Sequence, residues 1–452
     1  MKSRFGDKRL DKRLAQLTEG ISHAPGVHLP QLLTEWASLK AGYRFLNNKR
    51  VSHSQLIEQE RATTVKRIGE MGGEVILAVQ DTTSFNFAGR KGLSGLGVLD
   101  DNKTPGFFAH STLAVSEQGV PLGLFDQQVW SRTPCPPRTK DTHRAKPITE
   151  KESMKWIRGL QSLPTLDQHI VTVCDREGDI YEVFQAAYNN HMDYVIRSAW
   201  NRGVDDAPLL RDYLQDVPVV AIYTLPVQRQ IDQVQRDAQV GMRYTSLTLH
   251  PPVNRPASAR VIPLEPLTVQ VVVVREIAPP PDVTEPIDWV LLTTLPVQDL
   301  AQAYRVVRFY TYRWLVERFH FVLKTGGCHF ENSQLRSVEA LHRLLGVCST
   351  VAWRLLWLTY QARQTPDAPC TLALTRLEWQ ALCAFTRKSS VPAPAPPTLR
   401  QAVRDIAKLG GFIGRAADGE PGVKTLWRGW QRLQDIAATW ALFDPPPLVG
   451  ND

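Results

Sequence analysis

Apolar and polar positions follow two different periods along the chain, and the changes of period divide it into three parts. Residues 1–70 show helical spacing, with Leu10 and Leu17 recurring between basic residues. Residues 71–364 combine short apolar runs typical of strands with longer helical patterns, and residues 365–452 are again helical. The pattern predicts an α/β protein with a helical N-terminal domain, a central α/β domain and a helical C-terminal domain.

The N-terminal part carries most of the positive charge. Residues 1–70 hold 13 Lys and Arg against 7 Asp and Glu, so they supply +6 of the net charge of +8. Short basic helices joined by turns suit docking on duplex DNA, although they also suit a small helical bundle. We predict a DNA-binding domain here, and the candidate contacts are Lys8, Arg9, Arg13, Lys40 and Arg44.

Two apolar runs in the central part each lead into an aspartate. Residues 74–80 precede Asp81-Thr-Thr, and residues 169–174 precede Asp175. We predict that each run is a strand with its aspartate at the end. A single Asp in such a position is usually a turn or helix cap, and Asp175 stands before a helical pattern. Two such aspartates together with a helical glutamate favour a site for divalent ions and phosphoryl chemistry instead.

The glutamate is Glu317, within the stretch from Tyr310 to Lys324. At roughly 100° of rotation per residue, Tyr310, Arg313, Glu317 and Lys324 fall within an arc of roughly 60° on one helix. Most charged helical faces are simply solvated, and that interpretation stays open. The combination of two cations, a phenol and one carboxylate nevertheless favours a phosphodiester substrate and a metal ligand.

Strand-like runs separated by Pro-rich turns fill residues 200–300, which predicts a mostly β insertion between Asp175 and the Glu317 helix. A Pro-rich linker over 387–397 leads into two final helical patterns. Trp427, Trp430, Leu433 and Trp440 in the last pattern indicate either a partner-facing surface or packing against the central domain.

The cysteine spacing and the distribution of apolar residues indicate the cellular location of the protein. The six cysteines form no CxxC pair and no dense framework, so neither a zinc site nor a secreted disulfide scaffold is indicated. The first residues lack the apolar segment of a signal peptide, and the longest apolar helical pattern is interrupted by Arg354. We predict a cytoplasmic protein without a membrane span.

These motifs together resemble the bacterial DDE transposases that carry the YREK signature, a cut-and-paste group with hairpin-ended intermediates. Tyr310, Arg313, Glu317 and Lys324 match that signature in full. Asp81-Thr-Thr and the run Cys174-Asp-Arg-Glu-Gly-Asp-Ile180 match two further motifs of the family in the same order. The resemblance extends from Gly6-Asp-Lys-Arg to Trp427-Arg-Gly-Trp430, which is nearly the whole chain.

The resemblance implies a ribonuclease-H-like catalytic domain over 71–364, with a DNA-binding domain before it and a dimerisation domain after it. It implies that Asp81, Asp175 and Glu317 hold two Mg²⁺ ions, for which Mn²⁺ can substitute. The ions would support nicking, hairpin formation, hairpin resolution and joining to target DNA. Tyr310, Arg313, Lys324 and Arg197 would contact phosphates, and Trp289 would stack on a flipped base.

The implied partners are the terminal inverted repeats of a transposon, target DNA and a second copy of the chain, in the bacterial cytoplasm on the nucleoid. The chain begins five residues before Gly6, where relatives usually have a further stretch. A second hypothesis is therefore a shortened, non-transposing chain that inhibits full-length partners in mixed dimers. A third is a host metal nuclease, whose cleavage would not depend on a terminal repeat.

Overall fold

The structure is a computed structural model that describes residues 5–443 except 25, 27, 34, 91, 135–145, 228–235, 256–259, 261–262, 392 and 416–417. Within these residues, ten strands form one mixed sheet in the order β2-β3-β1-β5-β6-β10-β9-β8-β7, with β4 paired to β3. The strands are β1 (Val75–Asn86), β2 (Gly97–Val98), β3 (Pro105–Ser116), β4 (Pro121–Trp130), β5 (His169–Cys174), β6 (Asp193–Arg197), β7 (Ala221–Val227), β8 (Arg236–Leu249), β9 (Leu267–Glu276) and β10 (Asp288–Thr293).

Helices precede the sheet, cover it and follow it. They are α1 (Lys8–His23), α2 (Leu29–Leu32), α3 (Trp36–Leu46), α4 (His53–Met71), α5 (Met154–Gln161), α6 (Tyr181–Asn189), α7 (Leu210–Asp216), α8 (Leu300–Thr311), α9 (Trp314–Phe321), α10 (Val338–Gln364), α11 (Arg376–Arg387), α12 (Leu399–Leu409) and α13 (Val423–Phe443). Their starts follow local side-chain chemistry. The Asp7 side chain caps α1, and a reciprocal pair of Ser52 and Gln55 caps α4, because these groups satisfy otherwise free amides of the first turn.

The centre of the sheet is β1, which pairs antiparallel with β3 and parallel with β5. Its first six residues are buried, as expected for a central strand covered on both faces. The strand does not stop before Asp81, however, and the prediction of a strand-end aspartate was wrong there. Its ladder with β3 continues to Asn86, so Asp81 lies in mid-strand. The neighbouring strand β5 does end one residue before Asp175.

Residues 200–300 extend the same sheet. Strand β10 pairs antiparallel with β6, and β9, β8 and β7 follow as an antiparallel series. The run Val271–Val274 of β9 is buried on both faces. Backbone hydrogen bonds therefore connect the residues of this segment to the strands that carry the two aspartates.

Helix α10 is the main cover of one face. It begins at the Ser337 cap, contacts α4 and β4, and buries Trp353. The C-terminal helices pack on its far end. Trp427 and Leu433 of α13 are almost fully buried. Of the two predicted alternatives, packing within the protein is therefore correct for these two residues, and a partner-facing surface is wrong. Trp430 is partly buried and donates a hydrogen bond to the Ser22 carbonyl of α1.

The stretch from Tyr310 to Lys324 is not one regular helix. Helix α8 ends at Thr311, α9 begins at Trp314, and residues Val322–Gly326 form a π-helical turn. Such turns are frequent at functional sites, since the extra residue redirects the side chains that follow. The arc predicted from 100° spacing is therefore broken before Arg313 and again before Lys324.

Candidate active site

Asp81 and Asp175 come close together where two neighbouring parallel strands run in register. Val79 of β1 is the register partner of Val173 of β5; Asp81 stands two residues farther along β1, and Asp175 stands two residues farther along the chain, just past the end of β5. Because side chains alternate in a strand, both carboxylates follow the same face as the two valines. The two predicted ligands from distant parts of the sequence are thus brought together by strand pairing.

The two carboxylates perturb each other. Burial raises the pKa of Asp175, and the negative charge of Asp81 raises it further. Burial also acts to raise the pKa of Asp81. The nearby His320 and, more weakly, the charge of Arg313 act in the opposite direction, and the pKa of Asp81 is lowered overall. A buried pair of carboxylates that repel each other is the donor chemistry that hard divalent cations satisfy. These two residues therefore fit the implied metal.

The third predicted ligand, Glu317, is engaged elsewhere. Its carboxylate accepts a hydrogen bond from Arg313, one turn earlier, in an ion pair. Among the residues that the structure describes, no three His, Cys, Asp or Glu side chains lie close enough together to hold a metal ion. Helix α9 does pack on β1, so Glu317 stands on an element beside Asp81 without joining it.

Tyr310, Arg197 and Trp289 form a second group. The Trp289 ring lies edge-on to Tyr310, with ring centroids 4.9 Å apart. Burial raises the pKa of Tyr310, and the nearby charges of Arg313 and Arg197 act to lower it. The Arg197 side chain also donates to the Asp288 carbonyl at 3.0 Å. Tyr310 is only 2% exposed, so in this structure it supports Arg197 and Trp289 and does not offer an open phosphate contact.

Arg313 and Lys324 both lie near the carboxylates. Arg313 is 8% exposed, and its charge acts to lower the pKa of both aspartates, although the pKa of Asp175 is raised overall. Burial lowers the pKa of Lys324, whereas the charges of Glu331 and Asp81 act to raise it. The Lys324 ammonium lies 5.6 Å from the centre of the Phe85 ring. Two cations therefore surround the carboxylate pair.

A cavity of about 1230 Å³ opens beside Arg197, and its lining includes Arg176, the neighbour of Asp175, but neither aspartate of the carboxylate pair. It is larger than a typical ligand pocket, and Arg197 and Trp289 both line it. Several lining residues had not been predicted as functional, although positive charge and aromatic rings are their common feature. These are Arg176, Tyr223, Arg308, Trp314, Arg318, Tyr360 and Arg363. Their scattered positions in the sequence gave no local signal.

The second aspartate of the Cys174–Ile180 motif has a structural role. The Asp179 carboxylate accepts hydrogen bonds from the backbone amides of Ala199 and Trp200, at 2.6 and 2.8 Å, and pairs with buried Arg202. Asp175 caps the short turn after β5 by accepting from the Glu177 amide, so the predicted cap coexists with its position beside Asp81.

The N-terminal candidates lie on the surface. Lys8, Arg9, Lys40 and Arg44 are exposed, and Arg13 is partly exposed. Lys40 and Arg44 stand one turn apart on α3. Arg9 pairs with Asp7, which reduces its free charge.

Three family models match the chain in sequence order. A transposase DNA-binding model matches residues 1–51, a transposase DDE domain model matches 138–354, and a transposase Tn5 dimerisation domain model matches 350–441. The chain belongs to the DDE transposases. Asp175 and Glu317 lie within the DDE match, and Asp81 lies before it.

A DDE transposase is a metal-dependent enzyme that cleaves and joins DNA, and the flanking matches add DNA binding and dimer formation. The inhibitor hypothesis gains no support from these matches. In the described part of this transposase, no helix is long and apolar enough to span a membrane. Its five described cysteines are free and buried, and Cys135 lies outside the described residues.

Proposed function

We propose that this transposase excises a mobile element by nicking each end, forming and resolving a hairpin, and joining the 3′ ends to target DNA. The observation that carries the proposal is that Asp81 and Asp175 follow the paired residues Val79 and Val173 of β1 and β5 and lie close enough for their charges to interact. A cavity lined by Arg176, the neighbour of Asp175, and by Arg197 and Trp289 adds positive charge and an aromatic ring to this region. The strand order β4-β3-β1-β5-β6, antiparallel and then parallel, supports a ribonuclease-H-like catalytic domain. The domain limits of 70 and 364 remain part of the proposal.

Asp81, Asp175 and Glu317 would hold two Mg²⁺ or Mn²⁺ ions. When bound, such ions stabilise the charge on the entering and leaving oxygens of a phosphoryl transfer. The aspartate pair is already assembled, whereas Glu317 must leave Arg313 to join it. A DNA phosphate offers Arg313 another partner of the geometry that guanidinium groups prefer, and so would release the glutamate.

The remaining residues would hold the strand. Lys324, which lies near Asp81, and Arg197, which lies beside Tyr310, would supply positive charge to the bound strand. One edge of Trp289 is occupied by Tyr310, while its side chain lines the cavity. A base turned out of the duplex could stack there, since every base has a flat face that an indole can cover.

The DNA partners in this proposal are the terminal inverted repeats and target DNA, bound by a homodimer in the bacterial cytoplasm, on the nucleoid. Lys8, Arg9, Arg13, Lys40 and Arg44 would contact phosphates of the end sequence. The matches to a DNA-binding and a dimerisation model support this arrangement.

The test uses the purified 452-residue chain and a duplex that carries a terminal inverted repeat, which is first to be identified in the DNA flanking the gene. With Mg²⁺ we expect nicked, hairpin and resolved products in succession on a gel. Asp81→Ala, Asp175→Ala and Glu317→Ala should each abolish all three products while binding of the DNA end persists. Asp193→Ala, on β6, is the matched control and should cleave normally. Nicking by any triad variant, or equal cleavage of unrelated DNA, would contradict the proposal.

A further inference from the structure

A row of buried polar side chains runs across the sheet and ends at Asp81. In the strand register Asp81 is opposite Ser111 of β3, and Ser111 is opposite Gln127 of β4. Ser111 is fully buried and Gln127 is 3% exposed. Buried polar groups in a strand centre are costly unless they are hydrogen-bonded, so a row of them requires an explanation.

Hydrogen bonds join the row to three helices. His320 of α9 contacts the Ser111 hydroxyl through Nε2 at 3.1 Å and the Asp81 carboxylate through Nδ1 at 3.5 Å. The Gln127 amide nitrogen donates to the Ser111 hydroxyl at 3.1 Å. The Gln127 carbonyl oxygen lies 3.0 Å from Nε2 of His53 on α4, and it accepts a hydrogen bond from the Ser349 hydroxyl on α10 at 3.1 Å.

One set of directions satisfies all of these hydrogen bonds. The Gln127 oxygen accepts from Ser349 and can accept from His53, and its amide nitrogen donates to Ser111. Ser111 can then donate its own proton to Nε2 of His320. In this arrangement a neutral imidazole carries its proton on Nδ1, which is the nitrogen that faces Asp81. The row therefore orients the His320 ring and favours this tautomer.

We propose that His320 is a positioning residue that orients the Asp81 carboxylate for metal binding, and that Ser111 and Gln127 hold it in that role. This inference rests on the proposed function, because it takes Asp81 to be a metal ligand. Partners behind a ligand typically change metal affinity about 10- to 100-fold when they are removed. Helices α4 and α10 contribute His53 and Ser349 to the row. The packing of these two helices therefore also helps to hold the Asp81 carboxylate in place.

Two substitutions separate the two contacts of His320. His320→Asn keeps a donor near the place of Nδ1 and loses the contact with Ser111, whereas His320→Gln reaches Ser111 and loses the donor to Asp81. The control is His342→Gln on α10, because that histidine packs on Phe107 and its Nε2 has no hydrogen-bond partner.

The readout is Mn²⁺ affinity of the full chain bound to end DNA, from the electron paramagnetic resonance signal of free Mn²⁺, together with the melting temperature in metal-free buffer. We expect His320→Gln to weaken Mn²⁺ binding about 10- to 100-fold, with His320→Asn closer to the wild type and His342→Gln unchanged. Melting temperatures should stay similar among the three variants.

Unchanged Mn²⁺ affinity in His320→Gln would overturn the inference. Equal losses in both His320 variants, accompanied by a lower melting temperature, would also overturn it, because they indicate a purely structural residue. Asp81→Asn distinguishes this outcome from failure of the proposed function. If Asp81→Asn binds Mn²⁺ as tightly as the wild type, the carboxylate is not a ligand and the proposed function itself fails.

Discussion

The Arg313 guanidinium donates to the Glu317 carboxylate one helical turn later, which keeps the third acidic residue of the site apart from Asp81 and Asp175. Arg313 also lies close enough to Asp81 for its charge to lower the pKa of that aspartate. Its charge acts on Asp175 in the same way, so one buried cation interacts with all three proposed ligands. Its removal should change metal binding even without DNA.

We expect Arg313→Gln to bind Mn²⁺ more tightly than the wild type when DNA is absent, by roughly three- to tenfold. The reason is that Glu317 loses a competing partner and the incoming ion loses a repelling charge. Titration of Mn²⁺ with the DNA-free protein checks this. Arg308→Gln, which removes an arginine that pairs with Glu117, should leave the affinity unchanged. Weaker binding in Arg313→Gln would mean that the ion pair does not compete with the metal.

Trp289→Ala should slow hairpin formation far more than the first nick. Loss of a stacked base costs about 1–3 kcal/mol, or about 5- to 150-fold in rate if it is felt only at the hairpin step. Single-turnover gels that follow nick and hairpin separately provide the measurement. Trp289→Phe should retain most of the rate because a ring remains. Trp200→Ala, which removes an exposed indole outside the cavity, is the control. Equal slowing of both steps would make Trp289 a packing residue only.

The double substitution Lys40→Ala with Arg44→Ala should weaken binding to the DNA end and flatten its salt dependence. Each lost phosphate contact lowers the slope of log affinity against log salt by about 0.9, so a change of about 1.8 is expected. Anisotropy titrations at several salt concentrations measure it. Arg387→Ala with Lys388→Ala, at the exposed end of α11, removes the same charge from the C-terminal part and should leave the slope unaltered. An unchanged slope in the α3 variant would exclude these two contacts.

Stability should fall as the solution becomes more acidic than pH 6.5. Burial lowers the pKa of His53 to about 4, and burial and nearby His53 lower the pKa of His342 to about 4, from an ordinary value of 6.5. Below pH 6.5 the two histidines become protonated in the unfolded chain but stay neutral in the folded chain. The free energy of unfolding therefore decreases as pH falls towards 4. Each histidine should account for about 1–3 kcal/mol by pH 4.

Urea unfolding of the wild type and of His53→Gln with His342→Gln, at pH 7 and at pH 5, checks this expectation. The double variant should lose less stability between the two pH values than the wild type does. His169→Gln, which replaces a half-exposed histidine on β5, is the control and should behave like the wild type. Identical pH dependence in all three proteins would show that the two buried histidines do not determine it.

Local signals in the sequence were sufficient for many elements. The period of apolar residues predicts a helix over Leu399–Leu409, and α12 has these two ends. It also predicts a helix that starts at Ser52 or Ser54, and in the structure Ser52 caps α4. The apolar run before Asp175 gave β5, because strand and turn chemistry there are local. The adjacency of Asp81 and Asp175 could only be a hypothesis, since it depends on which strands pair.

Other features depend on tertiary packing and left no trace in the local pattern. Strand β1 continues past Asp81 because β3 supplies a partner as far as Asn86, despite the polar residues of that segment. The π-helical turn before Lys324 and the burial of Tyr310 arise from neighbouring elements. His320 resembles an ordinary helical histidine in the sequence, and its contact with Asp81 arises only from the packing of helix α9 on β1.

The pairing of β10 with β6 has a consequence for how the enzyme could measure its substrate. Leu291 of β10 is the register partner of Arg197, so Trp289 lies two residues from that fixed point along a hydrogen-bonded strand. Backbone ladders are stiff compared with surface loops, and the separation between Trp289 and the acidic pair is therefore set by the sheet itself. In the proposed mechanism, this fixed separation would set the number of nucleotides between the cleaved phosphodiester bond and the base that stacks on Trp289.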